Sequence, residues 1–203
     1  MSGDVTHWQG IYQSKALDDV SWFEDEPTMS LQLIDEFAGK PGPAVDVGVG
    51  RSRLAIRLLD RGWHPVVALD VSNAALAHIA EIAQPTVDLQ LIACDILQWQ
   101  PQDRVTLWHD RAVFHFLTDQ QDQIQYVELA MSTVSPGGTL VLGCFAVDGP
   151  TQCSGLDVCR FQPGDLAALF SAGFSLLASA QQDHRTPWGS SQAFTWVVLR
   201  RHG

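Results

Sequence analysis

An apolar run that breaks at two glycines, Ala44-Val45-Asp46-Val47-Gly48-Val49-Gly50, constrains this chain more than any other stretch. Its first four residues suit a strand buried on both faces of a parallel sheet. Glycines directly after such a strand let the backbone take positive φ and lie close against a ligand where the next helix begins. A second apolar run, Pro65-Val66-Val67-Ala68-Leu69, ends in Asp70, a carboxylate placed to hold a ribose diol. Further strand-like runs at 89–93, 105–109 and 138–145 alternate with helical patterns at 52–61, 73–83, about 119–134 and 163–172. That alternation predicts parallel strands joined by right-handed crossovers. The last two strand patterns, 174–180 and 192–199, lie too close together for a crossover helix and predict a hairpin. The expected fold is therefore α/β: a single doubly wound, mostly parallel seven-stranded sheet with an antiparallel last strand and helices on both faces.

At 203 residues, 46% of them hydrophobic, the chain has material for one well-cored domain. Residues 1–43 differ in texture, setting His7, Trp8, Tyr12, Trp22 and Phe23 among acids before a helical pattern at 28–37. They read as an N-terminal helical lid segment ahead of a ligand-binding domain at 44–203. A formal charge of -11, from 23 acids against 12 bases, argues against nucleic acid as a partner and favours cationic ligands. No leader pattern and no apolar run of membrane length is visible, so a soluble cytoplasmic protein without a membrane partner is expected. Four cysteines without close pairing read as reduced thiols.

Two cofactor classes share the strand, loop, helix, strand, acid layout. A nicotinamide fingerprint aligned on Gly48 and Gly50 needs a third glycine where Arg53 stands. Asp46 would repel a pyrophosphate, whereas it can orient the ammonium of S-adenosylmethionine, which carries no phosphate. The stretch Val45 through Gly50 resembles the first motif of the class I S-adenosylmethionine-dependent methyltransferases. Later stretches resemble that family in order: Asp70 its ribose-binding acid, Ala93-Cys94-Asp95-Ile96 the motif whose acid meets the adenine amino group, and Ser135-Pro136-Gly137-Gly138-Thr139-Leu140-Val141 the turn into its fifth strand. Where the family often has a third glycine, this chain has Ser52. The resemblance implies S-adenosylmethionine as cofactor, S-adenosylhomocysteine as product, and a binding set of Asp46, Gly48, Gly50, Ser52, Asp70, Val71, Asp95 and Ile96. Trp8 and Tyr12, four apart on one helical face, resemble the lid helix such enzymes fold over the cofactor; docking on the sheet is the alternative. Two other classes compete: a nicotinamide-dependent oxidoreductase, and a regulatory protein that binds S-adenosylmethionine without turnover.

On the acceptor side the family position after the fourth strand falls on Asp110, with His109, His115 and Arg111 beside it. Asp110 can accept a hydrogen bond from an amine and either histidine can take a proton near neutral pH; a carboxylate that caps the next turn and a packed histidine explain the same residues. His184, Arg185 and Trp188 share a polar loop that reads as an acceptor wall or as an ordinary hairpin turn. The stretches at 109–117 and 184–189 resemble small bacterial methyltransferases distantly similar to seven-strand protein lysine methyltransferases. The acceptor is accordingly a small molecule or a protein lysine, and the absent Asn-Pro-Pro-Tyr signature lowers adenine and glutamine. Cys153 is a substrate-side candidate. Together with Cys144, Cys159 and His184 it raises S-methylation or methylation of a metalloid, against the plainer reading of buried small apolar residues. No resident metal is expected, and acceptor and oligomeric state stay open on sequence alone.

Overall fold

The computed structural model describes residues 5–84 and 86–203. Two helices, α1 (Val5–Ser14) and α2 (Thr28–Phe37), precede β1 (Ala44–Val47), α3 (Leu54–Asp60), β2 (Val66–Asp70), α4 (Asn73–Ile82) and β3 (Leu89–Ala93). There follow β4 (Val105–Arg111), α5 (Gln120–Thr133), β5 (Val134–Phe145), a small hairpin of β6 (Gln152–Cys153) and β7 (Leu156–Asp157), α6 (Pro163–Leu169), β8 (Phe174–Arg185) and β9 (Ser191–Arg201). The large sheet has the order β3-β2-β1-β4-β5-β9-β8, and β9 runs antiparallel to both neighbours while the other pairs are parallel. This is the seven-stranded arrangement anticipated above.

Strand alternation divides the core into two layers. On one face, Ala44 of β1, Leu107 of β4, Val141 of β5 and Trp196 of β9 pack with Leu31 and Ile34 of α2, Leu54 and Leu58 of α3, and Leu76 and Ile79 of α4. On the other, Val45, Val47, Trp108, Leu140 and Leu142 pack with Tyr126 and Ala130 of α5 and with Leu166 and Phe170 around α6. Helix α1 reaches the first layer through Trp8 and Tyr12. Its Gln9 accepts from the Ser72 hydroxyl at 2.9 Å and the Ala74 amide at 3.2 Å, which ties α1 to the start of α4.

Two strands run further than their apolar cores. The strand expected at 105–109 runs on through Asp110 and Arg111, with Asp46 directly beside His109 and Val47 beside Asp110. Likewise Asp183, His184 and Arg185 complete β8 instead of forming a loop, and the turn is confined to residues 186–190. No helix among the described residues is long and apolar enough to cross a membrane.

Candidate cofactor and acceptor site

Parallel strands send their chemistry to their carboxyl ends, where loops and helix N-termini leave a crevice. Here the crevice is a cavity of about 1120 Å³, its open mouth included, between the ends of β1, β2 and β4 and the roof made by residues 8–27. At its floor Gly48 and Gly50 take φ of +65° and +53°. The turn they make is held by backbone bonds from Gly48 and Val49 to the Leu69 carbonyl and by the Gly50 amide donating to Asp70 Oδ2 at 2.8 Å. Gly50 also admits the roof, since a Cβ there would stand 2.7 Å from the Tyr12 hydroxyl.

Asp70 is buried and its other oxygen accepts from the Ser72 amide at 2.8 Å. Burial pushes its carboxyl up to about 6, against the hydrogen bonds from Ser72 and Gly50, which favour the charged form. Ser52 lines the wall while its hydroxyl accepts from the Leu54 amide at 3.1 Å, close to the start of α3. Val71, Cys94 and Ile96 continue the wall. Asp95 itself does not line the cavity; its Oδ1 accepts from the Leu97 amide at 2.9 Å and caps a short 3₁₀ turn.

Beyond the glycine loop the cavity meets three polar side chains of the first layer. Asp46 Oδ1 lies 2.8 Å from His109 Nδ1, and His109 Nε2 lies 2.9 Å from the Ser30 hydroxyl on α2. All three residues are at most 3% exposed, and Asp46 Oδ2 meets no hydrogen-bond partner among the described residues. A buried carboxylate oxygen without a donor is costly and is the kind of group a cationic ligand satisfies. Arg111, two residues along β4 and so on the same face, donates to the Trp22 carbonyl at 3.0 Å and pairs with Glu24 at 3.3 Å. Its guanidinium stacks 4.9 Å from the centre of the Phe194 ring, and its Nε has no partner among the described residues.

Glu24 fastens the roof. Besides Arg111 it meets His184 Nδ1 at 3.3 Å and accepts from the Gln182 side chain at 3.2 Å. Burial pushes its carboxyl upward, but the bond to His184 and the charges of Arg111 and His184 outweigh that and leave it below the ordinary glutamate range. His184 Nε2 bonds the Ser21 carbonyl at 2.7 Å, so both ring nitrogens serve the roof.

The structure places several sequence-derived candidates away from this cavity. Asp110 faces the opposite layer from His109 because neighbouring residues of a strand point to opposite faces. There it accepts from the Val113 amide at 2.9 Å, the Phe114 amide at 3.1 Å and the Tyr126 hydroxyl at 2.5 Å, and it does not line the cavity. His115 is fully buried between Phe116 and Phe145, accepts from the Phe145 amide, and is driven down to about 3 by burial. It too is absent from the wall. His184 and Arg185 lie outside the cavity, flanking an acidic surface hollow with Asp18, Asp25 and Glu26, and Trp188 is 59% exposed. Cys153 does line the cavity, its thiol pushed up to about 12 by burial. Cys144 belongs to the other layer, so the sheet separates the two sulfurs, and no metal-binding cluster occurs among the described residues. Trp8 and Tyr12 both reach the wall from α1.

Sequence reasoning missed Ser30 and Glu24. Ser30 carried a signal: with Leu33, Ile34 and Phe37 it completes an i, i+3, i+4, i+7 stripe in which it is the polar member. Glu24 carried none, sitting in an acidic run beside Asp25 and Glu26.

Residues 44–138 match a family model described as a methyltransferase domain. Comparison with curated proteins finds no match. Among solved structures, the chain resembles 1,6-didemethyltoxoflavin-N1-methyltransferase of Burkholderia thailandensis, solved with 1,6-didemethyltoxoflavin and S-adenosylhomocysteine. The TM-score is 0.72 at 22% identity over 88% of this chain and 80% of that one. The N-methyltransferase NodS of Bradyrhizobium japonicum WM9 with S-adenosylhomocysteine matches at TM-score 0.72 and 15% identity, over 96% and 98% of the two chains. The glycopeptide N-methyltransferase MtfA with S-adenosylmethionine matches at TM-score 0.65 and 16% identity, over 90% and 89%.

Proposed function

We propose that the chain is a class I S-adenosylmethionine-dependent methyltransferase, a reading supported by its domain match and fold, and that it moves the methyl group by in-line displacement to a small-molecule nitrogen acceptor held under the roof. In the reading of the cavity, Asp46 Oδ2 takes the cofactor ammonium, the turn at Gly48 and Gly50 passes close to its backbone-facing edge, Asp70 holds the ribose hydroxyls and Val71, Cys94 and Ile96 flank the base. Asp95, set back from the wall, would meet the adenine amino group only beyond that edge. Methyl transfer needs two reactants aligned and kept from water, with no covalent nucleophile from the protein. When bound, the cofactor supplies an electrophilic methyl; the protein supplies orientation, exclusion of water, and a proton acceptor.

The observation that carries this reading is one continuous cavity. It runs from the glycine turn past the unpartnered Asp46 oxygen to His109, Arg111 and Cys153, beneath aromatic residues of the N-terminal segment. A roof of this kind suits an acceptor that enters whole, which favours a small molecule over a protein lysine. The three similar enzymes described above are all named as N-methyltransferases, which favours nitrogen as the acceptor atom. The acidic hollow outside the roof suits an amine arriving with positive charge.

Incubation with methyl-labelled S-adenosylmethionine and a bacterial lysate, separated by size, tests the reading. Label is expected in the low-molecular-mass fraction. Label in protein would replace the small-molecule acceptor with a protein side chain. Heat stabilisation by S-adenosylhomocysteine without any transfer would return the chain to a regulatory role, and stabilisation by NADH instead would overturn the cofactor assignment.

A further inference from the structure

We propose that Ser30, His109 and Asp46 form a proton relay that takes the proton shed by the acceptor, so that the natural acceptor reaches the cavity with hydrogen on the atom to be methylated. The inference deepens the methyltransferase reading and rests on it.

The hydrogen-bond directions follow from donor and acceptor chemistry. An ionised carboxylate only accepts, so the bond at 2.8 Å requires His109 to carry its proton on Nδ1. In its neutral form the ring then presents a lone pair at Nε2, to which the Ser30 hydroxyl at 2.9 Å donates. Ser30 therefore turns its oxygen lone pairs away from His109, and Ser30 is itself part of the cavity wall. A chain of this kind that served only to join α2 to the sheet would gain nothing from opening on a cavity. Apolar residues of similar size would join the same elements without the cost of burying polar groups. Its other end is also open, because Asp46 keeps Oδ2 for a ligand.

The step balances. The acceptor nitrogen, neutral once an arriving ammonium has left its extra proton with solvent at the cavity mouth, bonds the methyl carbon while the carbon–sulfur bond breaks and its electron pair stays on sulfur. The acceptor, now positive, gives its proton to Ser30 Oγ as the Ser30 hydroxyl proton passes to His109 Nε2. Positive charge thus moves from the sulfonium to the imidazolium, which Asp46 Oδ1 stabilises until the proton leaves to solvent. The charged groups that share the cavity wall with the ring are Glu24, Asp46, Arg51, Asp70 and Arg111, and the Trp196 ring packs 6.2 Å from it.

The relay is tested with methyl-labelled S-adenosylmethionine and the low-molecular-mass fraction of a bacterial lysate, comparing wild type, Ser30→Ala, Ser30→Thr and His109→Gln. Calorimetry with S-adenosylhomocysteine, in parallel, shows that each variant is folded and loaded. Ser30→Ala and His109→Gln are expected to lose transfer by on the order of 10²-fold at neutral pH, the range for one general base, and to regain it as pH rises. Ser30→Thr, which keeps the hydroxyl, is expected to stay within about tenfold of wild type. Wild-type transfer by Ser30→Ala, or equal loss in the alanine and threonine variants with cofactor still bound, would overturn the relay. Absence of transfer by the wild type would instead count against methyl transfer itself.

Discussion

The Gly50 amide donates to Asp70 Oδ2 at 2.8 Å across twenty residues of chain, so the carboxylate proposed for the ribose also holds the glycine turn in place. Asp70→Ala is expected to weaken S-adenosylhomocysteine binding by about 1–3 kcal/mol, the scale for hydrogen bonds to a charged group, and to lower the melting temperature of the unliganded protein as well. Calorimetry and thermal unfolding measure the two effects separately.

The same carboxylate sets a pH dependence. Burial raises Asp70 to about 6, and ribose hydroxyls donate more strongly to the ionised carboxylate than to the neutral acid. Binding is therefore full above that value and declines as pH falls through it. Between pH 7 and pH 5 the dissociation constant for S-adenosylhomocysteine is expected to rise about tenfold, one pH unit below the midpoint leaving roughly a tenth of the group ionised. An affinity flat over this range would remove Asp70 from the ribose.

Asp110 offers the converse case. Asp110→Ala strands the Tyr126 hydroxyl and the amides of Val113 and Phe114, and is expected to cost on the order of 3 kcal/mol of stability with little change in cofactor affinity of the folded protein. Burial, opposed by those hydrogen bonds, holds its carboxyl up at about 6, above its unfolded value of 3.8. The folded chain thus binds this proton more tightly than the unfolded one, and its contribution to stability falls as pH rises from about 4 to about 6. Asp110→Asn is expected to remove that component from a chemical-denaturation series across the same range.

Glu24→Gln tests the roof. Glu24 is held below 4.5 when folded, because its His184 bond and the Arg111 and His184 charges outweigh burial. Its stabilisation is present above pH 4.5 and is lost as pH falls through the lowered value. At pH 7 the variant is expected to lose on the order of 2–3 kcal/mol, at or just under the scale for breaking a fully buried ion pair because Glu24 keeps some exposure. Amide exchange across residues 17–24 is expected to quicken, and the gap to wild type is expected to close in acid.

Gly50→Ala combines backbone strain at φ +53° with a Cβ 2.7 Å from the Tyr12 hydroxyl. Gly39→Ala, at φ +77° with nothing within 4 Å, carries the strain alone. Both are expected to lose about 1–2 kcal/mol of stability; only Gly50→Ala is expected to unseat α1 and reduce cofactor affinity, which tryptophan fluorescence and calorimetry distinguish.

The central strands were legible because short apolar runs stood between glycines and acids, and the place of Asp70 at the cavity because it ended one of them. The ends of β4 and β8 were not, since His109, Asp110, Arg111, His184 and Arg185 have the polarity of loop residues while pairing as strand. That had a consequence: with Asp110 in a turn after the strand, it and His109 share one site, whereas continued strand pairing sends them to opposite layers. The acceptor side escaped for a different reason. Its proton chain joins α2, β1 and β4, three elements whose contact no local pattern announces, and its roof hangs on Glu24, one acid among three.

Trp8 and Tyr12 complete the ceiling of the cavity from α1, and Gln9 pins that helix to Ser72 and Ala74. A nucleoside seated as proposed would lie under residues that also tie the fold together. Whatever disturbs the start of α4 therefore also disturbs the ceiling above the glycine turn.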